Sequence, residues 1–210
     1  GRINVVVAGK QPEKQWFSLD AARRVVTDGA GILPGAADTA TGREGDEEPE
    51  VVLACSGDVP TQEADAAREL VRELAPSVRV RVVTVIDLLR LRPGEPQSLD
   101  DDDFATLFGV GVPIVFAFHG YPHLIKELLF DRPVTAGVTM RGYQEAGSTT
   151  TPFDMLLQNK FDRFTLASDV LRRSSLGEQE RAEALAVLAN RREQAADHLR
   201  RFGVDDPALA

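Results

Sequence analysis

The 210-residue sequence has one cysteine, Cys55, so no internal disulfide can form, as suits a reducing compartment. No stretch approaches the roughly 20 apolar residues needed to span a bilayer, and no charged-then-apolar leader is present. These absences predict a cytoplasmic protein with no membrane partner. Cations are also scarce: 24 Lys and Arg face 33 Asp and Glu, and the net charge of -9 repels nucleic-acid phosphates and anionic lipid surfaces alike. Of three histidines, only His119 and His123 stand close together. Pro122 starts a helix between them and leaves His119 in a turn, so the four-residue spacing lacks both a common helix and a third zinc ligand. No metal site is expected. The sequence opens at Gly1 rather than Met and enters a strand pattern at once, which predicts a piece of something longer.

What is present is a large apolar fraction, 43%, enough to bury the core of one domain with an appended helical tail. Residues 113–130, PIVFAFHGYPHLIKELLF, organise the rest. Ile114 to Phe118 form a short, continuously apolar run, as a central strand buried on both faces requires. Gly120 permits a tight turn, Pro122 suits the first helical position, and Leu124, Ile125, Leu128 and Leu129 supply a stripe that packs back on the sheet. In open α/β sheets ligands collect outside the carboxyl ends of the strands, so His119, Tyr121 and His123 lie where function is to be sought.

Strand patterns recur at 3–8, 51–55, 78–86 and 134–140, and helix patterns at 18–28, 62–75, 100–108, about 152–173 as one helix, and 178–202. The alternation predicts an α/β fold with a doubly wound, mostly parallel five-stranded sheet. There is no internal repeat. Residues 29–50 contain Gly, Ala, Thr, Pro and an acidic cluster with few large apolar side chains, and are expected to be a flexible surface insertion. Gly29 to Gly35 imitates a dinucleotide glycine pattern but follows a helix and enters a polar loop, so it is set aside.

Each candidate site has a structural alternative. Lys10, in a Gly-Lys-Gln-Pro turn at a sheet end, can present a point charge to a phosphate, or be merely solvated. Cys55 at a strand end is an inert core thiol or a reactive one. Asp100 to Asp103 can bind Mg²⁺ or cap a helix. The stretch 141–155 combines Arg141, Glu145, Ser148, Thr149 and a helix amino terminus, a set that can receive an anion, fix a neighbouring domain, or only cap its helix.

NVVVAGKQP at 4–12, VVLACSGDVPT at 51–61, PIVFAFHGYPHLI at 113–125 and RGYQEAGSTTTPFDM at 141–155, in that order, resemble the C-terminal domain of phosphoketolases. These transketolase-like enzymes use thiamine diphosphate to split xylulose 5-phosphate or fructose 6-phosphate with inorganic phosphate. The resemblance implies a Rossmann-like, mostly parallel or mixed sheet of the transketolase C-terminal type over residues 1–175, followed by a helical tail at 176–210. It implies N-terminal and middle domains elsewhere that bind thiamine diphosphate and Mg²⁺, a homodimer, and a sugar-phosphate substrate. No cofactor is expected in this chain, and no catalytic residue is carried over. Lys10 is the one residue the resemblance assigns to substrate phosphate. His119, Tyr121, Arg141, Glu145, Ser148 and Thr149 stand as domain-interface or ligand-binding candidates. The alternative is a separate module holding a nucleotide or sugar phosphate around His119 and Ser148.

Overall fold

The computed structural model describes residues 5–9, 12–35, 48–134, 136–144 and 149–209. Five strands form one sheet in the order β1-β3-β2-β4-β5: β1 Ala30–Ile32, β2 Val51–Ser56, β3 Val80–Val85, β4 Ile114–Phe118 and β5 Val138–Arg141. β2 to β5 run parallel, and β1 pairs antiparallel with the β3 edge. The helices are α1 Leu19–Asp28, α2 Asp58–Leu74, α3 Asp101–Phe108, α4 Pro122–Leu128, α5 Pro152–Asn159, α6 Arg163–Arg173 and α7 Glu178–Phe202.

β2 is buried along its whole length because both faces are covered. Val51, Leu53 and Cys55 point into a core shared with α2, α5, α6 and α7, while Val52 and Ala54 join Phe104, Phe108, Ile125 and Leu128 of α3 and α4 on the other side. The doubly wound arrangement follows from that alternation. Arg79 and Arg81 leave the start of β3 partly wet, as expected, before four fully buried residues complete it.

Several boundaries differ from the sequence expectations. Residues 5–8 form no strand: Val5, Val6 and Val7 are 84%, 85% and 95% exposed, and their β propensity has no sheet edge to act on. The fifth strand is instead Ala30–Ile32, inside the segment read as an insertion. Gly29 ends α1 in the left-handed conformation, φ 78°, and turns the chain straight onto β3, where the Leu33 amide donates to the Val82 carbonyl at 2.8 Å. Leu33, just past the strand, is buried in the core, so residues 30–33 are built into the domain rather than set on its surface; residues 36–47 of the expected insertion lie outside the described residues. α2 begins at Asp58 rather than residue 62, because Pro60 is compatible with a first helical turn. β5 begins at Val138, since Gly137 turns at φ 81°. The single helix expected to about 173 is two, broken where Lys160 takes a left-handed conformation, φ 58°, and Asp162 starts α6 as its cap.

Candidate functional site at the carboxyl ends of the strands

β2, β3, β4 and β5 all end on one edge, and short turns lock the β2, β4 and β5 ends together. The His119 amide donates to the Ser56 carbonyl at 3.2 Å, and the Tyr143 amide donates to the Gly120 carbonyl at 2.9 Å. Two glycines allow this approach. A Cβ on Gly57, φ 108°, would fall 2.9 Å from the His119 Cβ, and one on Gly142 would fall 2.4 Å from the Gly120 carbonyl oxygen. Pro122 occupies the start of α4 as its fixed φ favours.

The turn carries exposed rings. Tyr121, 43% exposed, stacks with His123 at 5.7 Å and meets Tyr143, 37% exposed, edge-on at 5.8 Å. His119 is also exposed. The Gly9 amide donates to the Asp58 carboxylate at 3.1 Å, which holds the segment before residue 10 at the carboxyl end of β2. The edge therefore presents imidazole, phenol and carboxylate groups to solvent, a set suited to hydrogen bonding and stacking.

Among the candidates, His119 and Tyr121 are neighbours here, whereas Lys10, Glu145 and Ser148 lie outside the described residues. Thr149 is exposed ahead of α5. The guanidinium of Arg141 is held by Asp169 of α6 through bonds of 2.6 and 3.0 Å, and this hydrogen-bonded carboxylate, more than any other neighbour, strengthens its hold on its proton. It ties the edge strand β5 to α6. Asn159, fully buried, accepts from the Gln144 amide at 2.7 Å and donates to the Met155 carbonyl at 2.9 Å, anchoring the chain just past Tyr143.

The amino end of α5 already has an anion. Asp205, beyond α7, accepts from the Phe153 amide at 2.9 Å and from the Thr151 hydroxyl at 2.5 Å, and Thr150 donates to Asp154 at 2.7 Å. Sequence reasoning missed Asp205, since its partners lie more than 50 residues earlier and no local spacing marks the pair. Asp58 was visible only as the first residue after the β2 turn glycine. Asp100 caps α3 through the Asp103 amide at 2.7 Å, the capping alternative for that acidic run.

No group of three or more His, Cys, Asp or Glu side chains able to hold a metal exists among the described residues. Cys55 is completely buried and its thiol is pushed up to about 11 by that burial. A cavity of about 570 Å³ opens elsewhere, between α2, α6, α7 and the turn at Pro207–Leu209, and none of the strand-end residues lines it. Its guanidinium groups are engaged: Arg163 by Glu63, Arg191 by Glu73 and Arg72 by Glu69.

Residues 10–210 match the family model described as the XFP C-terminal domain. The chain is 51% identical over 173 residues to a probable phosphoketolase of Rhodopseudomonas palustris (strain HaA2), covering 81% of this chain and 21% of that protein. It is 44% identical over 209 residues to the probable phosphoketolase of Chlorobaculum tepidum, covering 99% and 26%. The chain thus spans about a fifth to a quarter of the length of the curated relatives it matches. Among solved structures, a split-gene transketolase in an inactive tetrameric form superposes with a TM-score of 0.50 at 19% identity, over 79% of this chain and 48% of that one. A transketolase mutant from Pichia stipitis gives 0.50 at 13% identity over 78% and 20%. At such identity the likeness is one of fold.

Proposed function

The chain belongs to the XFP C-terminal domain family, and from that membership we propose that it is the C-terminal domain of a phosphoketolase. The parent enzyme cleaves xylulose 5-phosphate or fructose 6-phosphate with phosphate, releasing acetyl phosphate and an aldose phosphate. This domain, residues 1–175 with a helical tail at 176–210, helps assemble a homodimer and shapes the substrate entrance. The observation that supports the reading is the Gly9 to Asp58 bond, which fastens Gly9 to the strand end beside the His119 turn. We propose that Lys10, the next residue in sequence, receives the substrate phosphate.

Thiamine diphosphate, which supplies the carbanion-stabilising chemistry of such enzymes, and Mg²⁺ belong to the preceding domains. On this reading the 210 residues alone are expected to be inactive, because the cofactor-binding domains lie elsewhere in the parent enzyme. A cytoplasmic location is proposed because the single, buried thiol suits a reducing compartment. Among the described residues no helix is long and apolar enough to cross a membrane.

The test is Lys10→Ala in the full-length enzyme. A charge-assisted phosphate contact is worth roughly 1.5 to 3 kcal/mol, so kcat/KM for a phosphorylated ketose should fall about 10- to 150-fold, with Tm unchanged. A folded variant with less than about a twofold loss would withdraw Lys10 from the site. The exposed Tyr121 and Tyr143 rings favour a second reading, a module that stacks a nucleotide base at the strand ends. Calorimetric titration of the chain with adenine and guanine nucleotides separates the two.

A further inference from the structure

Val5, Val6 and Val7 are the one β-branched triplet on the described chain with nothing to cover it. Consecutive valines place apolar groups on both faces of a strand, the composition seen in β2 and β4, which are buried. Here the same composition is 84%, 85% and 95% exposed. Exposed apolar strand formers of this kind mark a surface that pairs with an edge elsewhere. The arm that carries them is nevertheless held in place. Gly9 bonds Asp58, Glu13 bonds Gln62 and Lys14 bonds Asp65, so residues 9, 13 and 14 follow α2 in the direction of the helix from its first residue onward. Trp16 then packs against the core. Two residues span at most about 7 Å, so Val7 lies within that distance of Gly9, which Asp58 at the α2 amino end holds on the strand-end side of the sheet.

We infer that residues 5–7 form a β-strand taken up by a sheet edge in the preceding domain of the same polypeptide. This rests on the proposed function, in which such a domain exists. The relatives are four to five times longer than the aligned region, and the matching family is a C-terminal one, so most of their length precedes it. A strand directly continuous with the domain it docks on has a high effective concentration there, which favours its own polypeptide over a partner subunit. Main-chain pairing then supplies the bonds and the alternate valine side chains supply the fit.

Hydrogen exchange on the full-length enzyme, with a photo-reactive side chain at position 6 in a parallel sample, tests this. The amides of residues 5–8 should exchange more than about tenfold slower than an unstructured peptide, and the cross-link should join position 6 to the preceding domain within one chain. Val6→Asp should remove the protection. Unprotected amides, a cross-link between two chains, or one confined to residues of this domain would overturn the inference. If the enzyme turns over phosphorylated ketoses normally while residues 5–8 exchange freely, only the strand fails. If the polypeptide carries no preceding domain, the proposed function falls with it.

Discussion

A carboxylate 52 residues downstream caps α5, where the Thr151 side chain makes no cap of its own. Loss of such a cap costs about 0.5 to 2 kcal/mol, which for a chain of this length is a Tm decrease of about 2 to 4 °C per kcal/mol. Asp205→Ala should show that decrease in a thermal melt, and Asp205→Asn should recover most of it; equal melts for all three would exclude the cap. Cys55 makes a second residue-scale expectation. Burial raises the folded thiol to about 11, above its ordinary value of 9.0, so the folded state holds the proton more tightly than the unfolded chain. That contribution is fully present below pH 9 and is lost as pH rises through 11, on the order of 2 to 3 kcal/mol across the window. Chemical denaturation at pH 8 and pH 11 should show a steeper loss for the native protein than for Cys55→Ala. The same burial predicts no alkylation of Cys55 at pH 8 until the protein unfolds.

Among the elements, α2 and α6 are joined by a nearly buried ion pair. Glu63, 2% exposed, accepts from the Arg163 side chain at 2.7 and 3.1 Å and from the Arg163 amide at 2.6 Å, while that guanidinium lies over Phe153. Arg163→Met keeps the packing stem but strands a buried carboxylate, so it should destabilise by about 3 to 5 kcal/mol in urea titration. A smaller effect, near that of a surface pair, would mean that water reaches Glu63. Such long-range pairs are not legible in a sequence, and neither is the break between α5 and α6, made by Lys160 without Gly or Pro. β2 and β4 were legible because strands covered on both sides read as unbroken apolar runs. β1 was not, since Ala-Gly-Ile has no propensity signal and only the Gly29 turn delivers it to an edge. Conversely, the valines at 5–7 have strand chemistry with no strand partner among the described residues. At the site, the strand-end turn around His119 and Tyr121 followed from that same apolar run, whereas the ties of Gly9 to Asp58 and Arg141 to Asp169 depend on tertiary placement.

At the scale of the whole molecule, the tail is built into the core rather than hung from it. Ala184, Leu188 and Ala195 of α7 belong to the cluster that covers one face of the sheet, and Leu188 is fully buried. Leu188→Ala should cost about 2 to 5 kcal/mol, measured by denaturant titration, and removal of residues 176–210 should expose the apolar sides of α5 and α6 on which α7 packs and cause aggregation. A well-folded, monomeric truncation would show the domain without its tail to be self-sufficient.

The Asp205 bond also sets an order in time. During synthesis α5 leaves the ribosome well before the residue that caps it, and at about 5 to 20 residues per second the intervening 52 residues take roughly 3 to 10 s. For that interval the amino end of α5 is open to water, so the start of that helix reaches its final form only after α7 has emerged and folded back.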